Sequence, residues 1–192
     1  MAYPLSRLLL LLLSGTLLLP AAAPALADES RAVLTALLAD QRARTTGDMS
    51  HFCVDPTLTS PSNFAGPRQD PSVPRPVDDF QWYMPSRNGW PGPVEPGLVA
   101  RLDALLANAP DSVPPPAGTA IDGSMLPPPF RLGGQADCTR TYSFSAPLIL
   151  DDIAFVDRSY TCGMMCGRGD IVALQRREGR WIPVALSETW IS

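Results

Sequence analysis

The chain has 192 residues and a formal net charge of −4, and all 15 of its basic residues are arginine. The absence of lysine excludes Schiff-base and lysine general-base chemistry. An acidic chain without a basic stripe also lacks the electrostatic footprint of a nucleic-acid or anionic-lipid binder.

In chain order the first element is apolar. After the single Arg7, "LLLLLLSGTLLLP" (Leu8 to Pro20) leads through "AAAPALA" to the acidic Asp28. Ser14, Gly15, Thr16 and Pro20 interrupt the run, which falls short of the roughly 20 apolar residues of a spanning helix. It reads as a secretory signal peptide over residues 1–27. Ala25-Leu26-Ala27 fits the small-x-small cleavage rule, so the mature chain is expected to begin at Asp28. No cysteine stands near that junction and no Arg-Arg pair precedes the apolar run, which argues against a lipid anchor and the twin-arginine route. The expected product is exported to the periplasm or the medium, with no membrane span in the mature chain. Removing 27 of 192 residues leaves 165, enough for a single domain with its own core over 28–192. Without Arg7, 14 arginines face 19 acids, a net charge of about −5. The richness in Ala, Pro and Arg points to a bacterial source with a GC-rich genome.

Residues 28–44, "DESRAVLTALLADQRAR", set Val33, Leu34, Leu37 and Leu38 on one face, which predicts a helix capped by Asp28 or Ser30. "HFCVDP" then alternates His51, Cys53 and Asp55 against Phe52 and Val54, as a short extended segment does. From Pro56 to Pro129 stand 17 of the 22 prolines. Proline lacks an N–H and fixes φ, so this stretch is expected to wrap a core as loops rather than supply central sheet. Within it, "EPGLVARLDALLANAP" spaces Leu98, Leu102, Leu105 and Leu106 helically, with Pro96 in the first turn and Pro110 as the stop. "FQWYM" (Phe80 to Met84) reads as a short strand followed by a turn.

The last 55 residues change character. "TRTYSFSAPLIL", "IAFVDRSYT", "DIVALQR" and "RWIPVALSETWIS" are apolar, β-branched and aromatic, separated by Asp151-Asp152, a cysteine loop and Arg177-Glu178-Gly179. They predict a four-stranded antiparallel meander over 138–192. Its buried face is expected to hold Val156, Tyr160, Val172, Leu174, Ile182, Val184 and Leu186, with Pro147 and Pro183 at an edge or bulge. The fold class is therefore α+β: this meander, one or two N-terminal helices, and a proline-rich wrapping segment, the helices and loops occupying 28–137.

Cys53, Cys138, Cys162 and Cys166 form an even set in a chain read as exported, where disulfides are the default state. In the chain-entropy description, closing Cys162 to Cys166 is worth about 2 kcal/mol and Cys53 to Cys138 about 4.5, and crossed pairings score at least as well. Entropy does not choose. Proximity favours Cys162 with Cys166 across a loop between two strands, leaving Cys53 for Cys138. A tight Asp151-Asp152 turn would instead set Cys138 opposite about Met165, where it competes for Cys162 or Cys166.

From Tyr142 onward, about a quarter of the chain, the sequence resembles a family of uncharacterised exported bacterial proteins. In these a Y-S-x-S-x-P strand leads through an acidic turn and a strand to a Cys-Gly and Cys-Gly-x-Gly loop, then to a Trp-bearing strand. The matching residues are Tyr142 to Pro147, Cys162 to Gly169, and Gly179-Arg180-Trp181. The resemblance implies the C-terminal strand module and brings no activity with it.

Two functional readings compete. Cys162 and Cys166, four apart with two methionines between them, and the lone His51 are soft ligands suited to Cu(I) or to dithiol chemistry. They are similar in spacing to the C-x-x-x-C of thioredoxin-like copper chaperones, but "GRGD" and "IVAL" follow, which is loop then strand rather than helix. Only Arg168 is near enough in sequence to lower a thiol pKa. Zinc through His51, Cys53, Cys162 and Cys166 lacks the paired C-x2-C spacing.

The other reading rests on the aromatics Phe80, Trp82, Tyr83 and Trp90, of which Trp82, Tyr83 and Trp90 are the candidate binding face, against a bland role in pinning the loop to the core. No G-x-S-x-G elbow is present, and adjacent carboxylates such as Asp78-Asp79 and Asp151-Asp152 point to opposite sides of an extended chain. The glycines at 133, 134, 167 and 169 do not form a phosphate loop, and Arg168-Gly169-Asp170 is too short to carry an adhesive role. The leading expectation is an exported, non-enzymatic cell-envelope protein that binds an unknown protein or small molecule and needs no cofactor. The alternative is a periplasmic thiol or copper protein using Cys162, Cys166 and His51, and a hydrolase is third.

Overall fold

The structure is a computed structural model and describes residues 22–45, 51–61, 81–85, 92–109, 120–133, 138–163 and 165–192. It is α+β, with two helices on a mixed nine-stranded sheet. Helix α1 (Ala22–Arg44) buries Ser30, Val33, Leu34, Leu37, Leu38 and Gln41. That 3-1-3-1-3 spacing is the stripe of a surface helix on a core. It begins six residues before Asp28, so Ser30 is a buried face residue and not the cap the sequence suggests. The alanines at 22, 23, 25 and 27 favour helix and Pro24 sits in the first turn, where proline is tolerated, so nothing stops the helix at Asp28.

The strands are β1 (Phe52–Val54), β2 (Tyr83–Met84), β3 (Gly92–Pro93), β4 (Arg131–Leu132), β5 (Arg140–Phe144), β6 (Leu148–Leu150), β7 (Ile153–Thr161), β8 (Gly167–Arg177) and β9 (Arg180–Ile191). Helix α2 (Pro96–Ala107) lies between β3 and β4, and a short 3-10 turn, Gly123–Met125, follows it. Strand order is β3-β2-β9-β8-β7-β5-β1-β4, with β6 also on β7. The expected C-terminal segments pair antiparallel in sequence, β5 and β6 with β7, β7 with β8, and β8 with β9. They belong to a larger sheet than a four-stranded unit. β1 runs parallel to both β5 and β4, while β2 and β3 extend the far side of β9. The first expected strand is two strands, split ahead of Pro147, which has no N–H to give. There Ser145 N–H bonds Asp157 and Ala146 N–H turns to Thr59.

Of the proline-rich stretch, residues 62–80, 86–91 and 110–119 lie outside the described residues. Its described strands between 56 and 129, β2 and β3, have two residues each and sit at the sheet's outer end. Pro96 opens α2, where the missing N–H costs nothing, and Leu102 and Leu106 are its buried residues. Among the described residues no helix is long and apolar enough to cross a membrane.

Ile153 to Val156 on β7 and Ile171 to Leu174 on β8 are buried without interruption. Continuous rather than alternating burial means that both faces are covered. Ala154, Val156, Val172 and Leu174 pack with Trp181 and Leu186 against the α1 leucines. Ile153, Phe155, Ile171 and Ala173 pack with Val184 and Ala185 around Leu102 and Leu106 of α2. Each fully buried side chain of this size contributes about 1.5–3 kcal/mol. The expected single face is thereby corrected. Val184 lies on the α2 side, and Ile182, expected inside, is exposed. The cause is a bulge in β9: Ala173 pairs with Ala185 but Leu174 pairs with Pro183, so one extra residue inverts the alternation and brings Trp181 inward in place of Ile182.

Candidate functional site

Two disulfides staple the sheet, Cys53 to Cys138 and Cys162 to Cys166, and the described residues contain no free cysteine. The Asp151-Asp152 turn is tight, Leu150 pairing with Ile153, so Cys138 is in line with the tip of the β7–β8 loop as the rival pairing required. It is bridged the other way because β1 lies on the opposite flank of β5, with Cys53 opposite Thr141 and Thr139 N–H bonded to the His51 carbonyl. Gly133 closes over this bridge. A Cβ there would lie 3.3 Å from Cys53 Sγ and 3.5 Å from Cys138 Sγ. Cys162 and Cys166 close the β7–β8 hairpin, Cys162 N–H donating to the Cys166 carbonyl and Gly163 taking φ 108°, a conformation that favours glycine. The chain passes from this loop directly into β8, with no helix for a thiolate to cap. His51 is exposed, and no cluster of three or more His, Cys, Asp or Glu side chains that could hold a metal occurs among the described residues.

The expected aromatic face does not form around Trp82. That side chain is 5% exposed, its indole N–H donates to Asp103 Oδ1 on α2 at 2.9 Å, and its ring centroid lies 6.1 Å from that of Phe155. Trp82 pins the outer strand to the core, the bland alternative for that one ring. Tyr83 is half-buried on β2 and donates to Gln81. Phe80, Trp90, Asp78 and Asp79 lie outside the described residues.

A different constellation stands out at the Cys162–Cys166 end of the sheet, beneath the C-terminal turn of α1. Period-two side-chain placement puts Arg140 and Tyr142 on one face of β5, Arg158 and Tyr160 on the same face of β7, and Arg168 and Asp170 on that face of β8. Register aligns them: Tyr142 opposes Tyr160, Tyr160 opposes Arg168, and Arg158 opposes Asp170. The Asp170 side chain is 3% exposed and accepts from Arg158 at 2.6 Å and from Arg168 at 2.8 Å. Arg158 also donates to Gln41, whose amide donates to Tyr142 Oη. Arg168 reaches Glu188 at 3.2 Å. Burial opposes its charge, but the Asp170 hydrogen bond and the charges of Asp170 and Glu188 outweigh this and raise its pKa.

Arg140 differs from the other two arginines. Its guanidinium carbon lies 4.9 Å from the centroid of Phe52 on one neighbouring strand and 4.5 Å from that of Tyr160 on the other. NH1 donates to Tyr142 Oη at 3.3 Å, and Nε is buried with no hydrogen-bond partner. No carboxylate pairs with it among the described residues; Asp170 and Glu188, on β8 and β9, are held by Arg158 and Arg168. Two of the three arginines thus share two acids, and Arg140 shares neither. Sequence reading missed this cluster although its signal was present, as R-x-Y, R-x-Y and R-x-D at alternating positions on strands that were themselves expected.

A separate groove of about 610 Å³ runs along the outer side of α1, lined by Ala32, Ala36 and Ala39 and by Arg180 and Trp181 near the β8–β9 turn. Arg31 at its edge is tied to Asp122 at 2.7 Å. Its walls are mostly small side chains, so the arginine cluster offers the more specific chemistry. The chain matches no family model, no curated protein and no solved structure.

Proposed function

We propose that the chain is an exported bacterial cell-envelope protein, acting in the periplasm or outside the cell as a disulfide-stapled, non-enzymatic binding domain. We place its recognition site at the arginine and aromatic cluster around Arg140 rather than on the proline-rich half. The observation that carries this reading is a guanidinium held over two rings with no acidic partner among the described residues. An arginine so placed is pre-oriented before any ligand arrives. Two disulfides and the apolar leader support export. For the non-enzymatic part, the single histidine is exposed and engages the described residues through its backbone carbonyl, without the second side chain that orients a general base.

Cell fractionation with N-terminal sequencing and mass spectrometry under non-reducing conditions tests the reading. The expected result is an envelope or medium fraction beginning at Asp28 with zero free thiols. A cytosolic chain with reduced cysteines would sink it. The thiol or copper alternative keeps one supporting observation, since Met165 is 89% exposed at the tip closed by Cys162 and Cys166. Copper titration of the natively isolated protein separates the two, as stoichiometric Cu(I) bound through those thiols would favour the alternative.

A further inference from the structure

We infer that the Arg140 site takes a carboxylate attached to an apolar body. This deepens the binding reading above and rests on it. Arginine presents five N–H donors in one plane. At Arg140 one of them meets Tyr142 Oη, Nε has no partner, and no other acceptor among the described residues faces the group. Phe52 and Tyr160 stand on the two strands flanking β5 with ring centroids 4.9 and 4.5 Å from the Arg140 guanidinium carbon, and the donors of a guanidinium all lie in its own plane. Two parallel in-plane donors match the two oxygens of a carboxylate, the pairing in which guanidinium is strongest.

Charge points the same way. Among the described residues the cluster holds Arg140, Arg158 and Arg168 against Asp170 and Glu188, so one anion balances them where the chain as a whole carries −4. The apolar body follows from the surrounding rings. Phe52, backed by the buried Phe130 at 6.5 Å and Tyr142 at 6.3 Å, and Tyr160 on the other side are the rings beside the guanidinium. Phe52, Arg140 and Tyr160 are each partly exposed, leaving this cluster open to solvent on one side. A carboxylate of this kind is either a free small acid or the C-terminus of a peptide ending in an apolar residue.

Calorimetric titration of the oxidised chain with benzoate, and with an apolar hexapeptide bearing a free or an amidated C-terminus, distinguishes the two sources. Either saturable benzoate binding or binding of the free but not the amidated peptide is the expected result. Arg140→Lys, which keeps the charge and loses the fork, should weaken it by about tenfold or more, while Arg180→Gln leaves it unchanged. Should Arg140→Lys fail to fold, the wild-type Arg140 Nε–H resonance provides the readout, expected to shift on saturation with the bound probe.

Equal affinity in Arg140→Lys, an unmoved Nε–H signal, or inorganic phosphate binding at least as tightly as both carboxylates would overturn the inference. A chain shown to be exported and fully oxidised that binds neither probe refutes the carboxylate site alone. A chain found reduced in the cytosol refutes the broader reading independently.

Discussion

The two faces of the sheet are cut from the same runs, Ile153 to Val156 and Ile171 to Leu174, yet they end differently. On the α2 side the cluster runs from Trp82 and Leu106 to Phe155 and Val184, and the buried polar side chains on that face, Thr141 and Ser187, carry no charge. On the α1 side an equally apolar middle runs out, under the last turn of the helix, into Gln41, Arg158 and Asp170, all buried. Burying an ion pair seldom stabilises more than apolar residues of the same volume would. The contrast therefore separates a face whose composition is explained by packing from one whose polar end is not. Arg140, which has no acidic partner among the described residues, lies at that polar end.

Truncation should cost both faces heavily, for different reasons. Phe155→Ala leaves a cavity and is expected to destabilise by about 3–5 kcal/mol. Asp170→Ala removes no large volume but strands Arg158, and is expected to cost about 3–5 kcal/mol as well. The double change Arg158→Met with Asp170→Leu sharpens the comparison. It should return to within about 2 kcal/mol of wild type in urea unfolding, because an apolar substitute lifts the desolvation cost. A double variant as unstable as Asp170→Ala alone would mean that the polar end is structural, and the contrast between the faces would lose its functional meaning.

The disulfides offer a second, smaller comparison. Cys53–Cys138 spans 85 residues and Cys162–Cys166 spans four. Loop entropy predicts a loss of about 4.5 kcal/mol when the first pair is replaced by serine and about 2 when the second is. Equal losses would show that local packing, such as Gly133 against the first bridge, outweighs chain entropy.

Much of this architecture is legible in the residues and some of it is not. The leucines of α1 and α2 declare their helices by spacing, and the four C-terminal segments declare strands by their β-branched and aromatic content. The second buried face was written too, because "IAFV" and "IVAL" are continuous apolar runs where a one-sided strand would alternate. Parallel pairing of β1 with β5 has no local signature, since it joins Phe52 to Arg140 across 88 positions. The β9 bulge is equally silent and decides which of two neighbours is inside. Val184→Ala should therefore cost about 2 kcal/mol, whereas Ile182→Ala, on the larger side chain, should stay within about 0.5. The arginine cluster was hidden for a related reason, as its members come from three strands whose register only the fold supplies.

The smallest expected effect concerns acid. Asp122 sits where the 3-10 turn meets α1, accepting from Arg31 and from the Ser124 N–H and hydroxyl, and these hold its carboxyl well below the usual carboxylate range. Asp152, at the β6–β7 turn, is lowered first by the hydrogen bond from Arg101 on α2 and then by Gln175. A carboxyl whose folded pKa is depressed stabilises fully above its unfolded pKa, near 4, and that contribution is lost as pH falls toward the folded value. Both groups face solvent, so the effect is modest and weakens with salt. Asp122→Asn keeps an oxygen for the Ser124 N–H but gives up the charge. Its Tm should lie below wild type above about pH 4 and converge with it toward about pH 2. Curves that stay parallel across that range would assign the tie between α1 and the turn to the cap alone. The Arg31–Asp122 pair would then add nothing of its own to stability, and on the α1 side the charge energy would rest more heavily on the buried Arg158–Asp170 pair.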